Sequence, residues 1–288
     1  MTILCRNEVD VIEANIRTHA QLGVDAFVVM DNGSTDGTRE KLTELSEEYD
    51  LSIIDQPEQT YRQREWMLQL AHHARTSKGA RWVISNDADE FWLPDVASFH
   101  SLKETLKDND SVVTVNRHNM LLDEAALEPH YDFAHASWRV NYPVCYSTDV
   151  QKRADNVSML LVPISPKVIV NPAGLIKLSG GNHRAKHWGK PFSARTSEDL
   201  TVFHYPIRSF EQFKANVEHR AELLKLKNVR MGDHYRRWVR LYQAGRLEQE
   251  FERIVLTQTQ LEVLEDVGVA VPEKAPGQAI NRAMSRSG

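Results

Sequence analysis

Strand and helix patterns alternate through the first third of the chain, and this alternation predicts an α/β fold: a mixed, mainly parallel sheet flanked by helices, followed by a helical C-terminal cap. Short apolar runs rich in β-favouring residues recur at 2–5, 26–30, 51–54 and 81–85. Segments with helical spacing of apolar residues lie between them, and that order implies right-handed crossovers with parallel pairing. In such a sheet the carboxyl ends of the strands share one edge, where open α/β sheets bind ligands. Arg6-Asn7-Glu8, the loop 31–38 and Asp87-Ala88-Asp89 each follow a strand, so the fold gathers them there.

The elements follow in order. Thr2-Ile3-Leu4-Cys5 stops at Arg6-Asn7-Glu8, and Val9, Ile12, Ile16 and Ala20 then mark one face of a helix that Gly23 ends. The second strand enters Asp31-Asn32-Gly33-Ser34-Thr35-Asp36-Gly37-Thr38. Its glycines permit backbone conformations closed to other residues, and its Ser, Thr and Asp are suited to cap a helix running to about residue 48. Residues 61–76 read as a helix with Trp66, Leu70 and Ala74 near one face, and the fourth strand leads into Asp87, Asp89 and Glu90 with Phe91 and Trp92 behind them. A helix to Leu106 and a strand at 111–115 come next, and periodicity is weak from 116 to 166. Residues 167–170 and 175–178 read as strands joined by the turn Asn171-Pro172-Ala173-Gly174. Ser209 with Gln212 three residues on opens a helix carrying Phe210, Phe213, Val217 and Leu224, and further helices cover 235–244 and about 247–256. Beyond Gly268 the Pro, Gly, Ser and Ala content predicts a mobile tail. The expected organisation is a catalytic domain over 1–208, divided at 115/116, then a helical extension over 209–267 and a tail over 268–288.

Composition narrows the function. A chain of 288 residues with 41% hydrophobic content can bury an ordinary globular core. Its net charge of −5 opposes general binding to nucleic-acid backbones. The two cysteines, Cys5 and Cys145, fit no zinc or redox spacing, which suits a reducing cytoplasm. No apolar run approaches the ~20 residues that span a bilayer, so membrane contact, if any, is expected to be peripheral.

The acidic triplet carries the chemistry. Asp87 and Asp89 flank a small residue, so both carboxylates can turn toward one hard divalent ion. Mn²⁺ or Mg²⁺ held this way leaves coordination positions for substrate phosphates, and the inferred ligand is a diphosphate. The bland alternative is a solvated acidic turn. In Gly180-Gly181-Asn182-His183, two glycines let the backbone approach a ligand, and a neutral imidazole can complete a shell already holding carboxylates. His183 is the expected third metal ligand, with His204 as runner-up. Asp89 and Glu90 are the catalytic candidates, Glu90 being expected as support for the metal ahead of general base. Arg64 can reach the diphosphate from the helix before the fourth strand.

Taken together, Arg6-Asn7-Glu8, Asp31-Asn32-Gly33-Ser34-Thr35-Asp36-Gly37-Thr38 and Asp87-Ala88-Asp89-Glu90-Phe91 resemble the nucleotide-sugar-binding half of family 2 glycosyltransferases, in the branch whose triplet continues into Glu-Phe. Gly181-Asn182-His183 and His204-Tyr205-Pro206, followed by Arg208-Ser209, also resemble that branch. The resemblance implies a GT-A fold and transfer of a hexosyl group from a nucleotide-diphospho-sugar, UDP in preference to GDP, to a hydroxyl of a glycan or glycoconjugate. It implies that Arg6, Asn7, Glu8, Asp31 and Asn32 line the nucleoside pocket, and that Asp87 and Asp89 address ribose and metal, Asp89 being the surer ligand. Where the family's loop usually has a second Asp, this chain has Asn32. The Gln-x-x-Arg-Trp motif of processive members is absent, which disfavours a polymer synthase. Two rivals are a haloacid-dehalogenase-like phosphatase, which would place Thr or Val where Phe91 stands, and a non-catalytic nucleotide-sugar or glycan-binding protein.

Overall fold

The computed structural model describes residues 1–58, 62–107, 110–144, 158–188, 194–225 and 232–285. Tyr61, the expected start of a helix, and Cys145 lie outside them. The chain divides into two compact units, one of residues 1–117, 165–204 and 279–288 and one of residues 118–164 and 205–278. The part of the expected catalytic domain beyond residue 115 is therefore not one body: residues 118–164 and 205–208 belong with the C-terminal helices and residues 165–204 with residues 1–117.

The first unit begins with β1 (Thr2–Cys5), α1 (Ile12–Gln21), β2 (Phe27–Asp31), α2 (Thr38–Glu48), β3 (Leu51–Asp55), α3 (Gln63–Lys78) and β4 (Val83–Asp87). β3, β2, β1 and β4 pair in that order, all parallel. Val9, expected on the face of α1, lies before the helix and is 38% exposed. The two-residue turn Ala88-Asp89 leads to β5 (Glu90–Pro94), followed by α4 (Phe99–Thr105) and β6 (Val112–Asn119). The second unit contributes β7 (Trp138–Val140), and the first resumes with β8 (Lys167–Val170), β9 (Leu175–Leu178), β10 (Ala185–His187) and β11 (Ala194–His204).

Among the described residues the main sheet has eight strands in the order β3-β2-β1-β4-β8-β6-β11-β5, and β8 pairs antiparallel with both β4 and β6. Both faces are covered, because successive residues of one strand point to opposite sides. Val83, Val112, Val168 and Val170 join Trp66, Met67 and Leu70 of α3 in one core, whereas Ile84, Val113 and Ile169 join Phe99 and Leu102 of α4 in another. β5 was not expected as a strand. It pairs antiparallel with β11 at the far edge of the sheet, with Glu90 directly opposite His204.

The second unit contains α5 (Phe210–Leu224), α6 (Asp233–Gln243), α7 (Leu247–Ile254) and α8 (Gln258–Asp266), and β12 (Ala270–Pro272) pairs antiparallel with β7. Ser209 accepts from the Gln212 amide and caps α5 as expected. Phe213, Trp238, Phe251 and Leu261 form the centre of this core. Within the described residues past Gly268, β12 and α9 (Ala275–Met284) stand where a tail was expected, and α9 buries Ala279, Ile280 and Ala283. Composition was the wrong guide there, because these residues form a helical stripe and Pro276 falls in the first turn, where proline is tolerated.

Candidate active site

The strand ends and loops of the first unit build the site. The segment 6–8 and the loop 31–38 hold each other through backbone-to-side-chain bonds. Asn7 donates its amide N–H to Ser34 Oγ at 2.9 Å and accepts the Thr35 N–H on Oδ1 at 2.8 Å. Asn7 sits at φ +55°, a left-handed conformation that Asn tolerates better than most residues. Glu8 N–H donates to Thr38 Oγ1, and Arg6 Nη1 donates to the Asn32 carbonyl at 3.1 Å. The N-cap position of α2 is Gly37, without a side-chain cap, and Asp36 just before it takes both the amide and the hydroxyl of Thr38 on Oδ1.

Asn32 explains its own departure from the family pattern. Its side-chain N–H₂ donates to the carbonyls of Gln56 and Glu58, each at 2.8 Å. A carboxylate has no donor and could not make these bonds. Asp31 is buried; its Oδ2 accepts the Ser34 N–H, but Oδ1 has no hydrogen-bond partner among the described residues. The buried Nε of Arg6 is likewise without a partner there. Buried polar atoms are seldom left so, and a ligand can supply what is missing.

At the acidic turn, one oxygen or ring nitrogen from each of Asp89, Glu90 and His204 lies within 4.8 Å of the others. His204 Nε2 is 3.4 Å from Asp89 Oδ2. The pairing of β5 with β11 causes this: directly opposed residues of antiparallel strands project to the same face, which brings His204 to Glu90. Asp89 belongs to the turn rather than the strand, so strict strand alternation does not separate it from Glu90.

Asp87 and His183 do not join this group. Asp87 Oδ2 is paired with the ammonium of Lys167, and Asp87 Oδ1 accepts from Asn182 Nδ2 at 3.3 Å. His183 is turned to the Pro166 carbonyl, 2.8 Å from Nδ1, and burial, with Lys167 and Arg117 nearby, lowers its pKa to about 4. The geometry thus brings His204, the expected runner-up, to the acidic turn, and not His183. Gly181 is required for a steric reason, since at φ +69° a Cβ there would lie 2.4 Å from His183 Nε2. Arg64 is exposed and lies beside Gly180, where a Cβ would be 3.4 Å from its Nε.

Four supporting residues escaped the sequence reading. Lys167, fully buried on β8, binds Asp87 and, at 3.0 Å, Glu90 Oε1. Arg117 Nη1 donates to the same Glu90 oxygen at 2.6 Å, and Glu90 Oε2 has no partner among the described residues. Burial alone would lower the ammonium's pKa, but Asp87 and Glu90 outweigh it and hold Lys167 above the usual lysine range. From α1, Asn15 donates to the carbonyls of Ala88 and Glu90 at 2.8 and 2.9 Å, fixing the backbone on both sides of Asp89. His19, one helical turn on, accepts the Trp92 N–H on Nε2 at 2.9 Å and contacts the Asn15 carbonyl through Nδ1. The only early signal was a polar pair at i, i+4 in a helix otherwise expected to bury its face.

His19 gives a pH prediction. The Trp92 N–H can only donate, so Nε2 must be unprotonated, and burial lowers the His19 pKa from 6.5 to about 3. In the unfolded chain this histidine binds a proton below pH 6.5; in the folded chain it does so only near pH 3. Its contribution to stability is therefore complete above 6.5 and falls as pH drops toward 3, by up to about 1.4 kcal/mol per unit. Urea unfolding across this window should show a smaller acid loss in His19→Gln than in the parent. Equal losses in the two proteins would contradict the assignment. The difference is needed because His183 and His234, also lowered to about 4, act in the same direction.

A mainly parallel sheet flanked by helices, with an acidic turn at its strand ends, is the arrangement of a glycosyltransferase of the GT-A class. The family model described as Glycosyl transferase family 2 matches residues 2–162, and the chain belongs to that family. Among solved structures it is similar to residues 1–349 of S. aureus TarS in complex with UDP-GlcNAc, at 13% identity and a TM-score of 0.43, covering 83% of this chain and 69% of that one. It is also similar to glucosyl-3-phosphoglycerate synthase from Mycobacterium tuberculosis in complex with Mn²⁺, UDP and glucosyl-3-phosphoglycerate, at 15% identity and a TM-score of 0.35, covering 78% and 77% of the two chains. No curated protein matches the chain. Among the described residues, no helix is long and apolar enough to cross a membrane.

Proposed function

We propose that this glycosyltransferase moves a hexosyl group from a nucleotide-diphospho-sugar, UDP in preference to GDP, to a hydroxyl of a glycan or small glycoconjugate, in the cytoplasm and with a divalent cation, Mn²⁺ or Mg²⁺. The observation that carries the reading is the convergence of Asp89, Glu90 and His204 within 4.8 Å. Two carboxylates and an imidazole suit a divalent ion of this kind, and the Oε2 of buried Glu90, without a partner among the described residues, is an atom such an ion would satisfy. When bound, the cation offsets the charge that grows on the departing diphosphate.

The chain's own residues do the rest. Asp89 and His204 supply donor atoms from the turn and from β11, while Arg117 and Lys167 hold Glu90 in place through its Oε1. Asp87, held by Lys167 and Asn182, is left to the ribose rather than the ion. Arg6, Asn7, Glu8, Asp31 and Asn32 form the nucleoside side, and Asp31 Oδ1 and Arg6 Nε, which have no partner among the described residues, offer an acceptor and a donor to a base edge. Arg64, beside Gly180, supplies positive charge to the diphosphate. Glu90 is fully buried and doubly paired, which favours a supporting role over general base.

Calorimetric titration of Mn²⁺ in the presence of UDP tests the donor set. His204→Ala should weaken the affinity by on the order of tenfold or more, and His183→Ala should leave it near the parental value. The opposite ranking, in variants that both remain folded by circular dichroism, would return the role to His183. Turnover is tested by Mn²⁺-dependent release of UDP or GDP from a panel of nucleotide-sugars. Inorganic phosphate released from phosphomonoesters instead would indicate the phosphatase reading.

A further inference from the structure

Apart from the main sheet, β9 and β10 form a two-stranded antiparallel hairpin in the first unit. One face is buried, with Leu175, Leu178 and Ala185 in the same core as Trp66 and Leu70 of α3. That burial fixes the register, because a slip of one residue would turn the apolar side chains outward. The register places Lys186 directly opposite Lys177, and both are exposed. Like charges at directly opposed positions destabilise a strand pair. Neither lysine, nor exposed Arg184 at the start of β10, forms an ion pair among the described residues.

The same hairpin exposes apolar surface. Ile176 is 44% exposed at the irregularity where the register skips from Lys177 to Leu175. Trp188 is 77% exposed, although its backbone N–H is tied to the Gly174 carbonyl at 2.7 Å. The indole is thus held outward on an anchored backbone. The surrounding sequence is one-sided in charge: residues 156–197 contain six Lys or Arg and no Asp or Glu, in a chain whose net charge is −5.

From this juxtaposition we propose that the hairpin is a docking surface for an anionic lipid bilayer, with Lys177, Arg184 and Lys186 meeting the headgroups and Trp188 and Ile176 entering the interface. Tryptophan is favoured at the headgroup level, and lysine or arginine beside it is attracted to an anionic leaflet. An anionic glycan would use the cations but gives no reason for an aliphatic side chain exposed beside them. Bound headgroups would also relieve the repulsion between the opposed lysines. This docking goes beyond the transferase reading and needs neither donor nor cation.

Sedimentation of the full chain with phosphatidylcholine vesicles, with and without phosphatidylglycerol, tests it. The parent should bind only vesicles that carry phosphatidylglycerol, and less as salt is raised. Lys177→Ser with Lys186→Ser should lower the partition by about 25-fold, about fivefold for each lysine. Trp188→Ser should lower it on the order of tenfold. The double Lys→Arg variant keeps the charge and should bind like the parent, which separates charge from any folding defect. Undiminished binding by the double Ser variant overturns the proposal. So does retention on a sulfated polysaccharide without binding to vesicles, which would make the surface a site for an anionic glycan.

Discussion

Asp89→Ala should lower kcat/KM by about 10²–10³, the range seen when one electrostatic contact to a developing charge is lost, and UDP binding should cease to depend on Mn²⁺. Asp89 is the carboxylate of the triplet that meets His204, and it is partly exposed within a turn whose backbone Asn15 fixes from α1. Removing its side chain deletes a donor atom without emptying a core position, so stability should change little. Full metal-dependent UDP affinity in a folded Asp89→Ala would show that the cation is held elsewhere.

Lys167→Met should have the largest effect on stability. The methionine nearly preserves the volume but removes the ammonium that binds Asp87 and Glu90 from within the sheet. Taking away one partner of a buried ion pair leaves charge uncompensated and costs about 3–5 kcal/mol. Arg117 still faces Glu90, and Asn182 still donates to Asp87, so the chain should fold but melt at a lower temperature. A change below about 1 kcal/mol, the scale of an exposed pair, would mean that Lys167 is not the member that holds the cluster together. Because Lys167 positions Asp87 and Glu90, the variant should also show weaker Mn²⁺ binding at temperatures where it is fully folded.

Much of the first unit was legible because its signals are local. The observed β8 and β9 coincide with the expected 167–170 and 175–178, and α2 ends at Glu48 as its pattern indicated. Apolar periodicity of two or 3.6, ended by Gly or a cluster of turn formers, is written within each segment. The strand β5 was not legible, since it opens on a carboxylate, closes on Pro94 and finds its partner only in β11. The ordered segment past Gly268 was missed because its composition outweighed its short apolar stripe.

The strand and helix pattern alone determined an α/β fold with three polar segments at the ends of parallel strands, because strand order and right-handed crossover bring those segments to one edge, and the motifs in those segments carried the resemblance to family 2 glycosyltransferases. Tertiary structure alone decided which side chains meet there. His183 had the more suggestive neighbours, two glycines and an asparagine, but its ring turns to the Pro166 carbonyl. His204 had only a place at the end of a strand, yet antiparallel pairing sets it opposite Glu90. Lys167 read as one of many lysines until the sheet enclosed it between Asp87 and Glu90. Register and burial are properties of pairs of segments far apart in the chain, and neither is encoded in the local pattern of one of them.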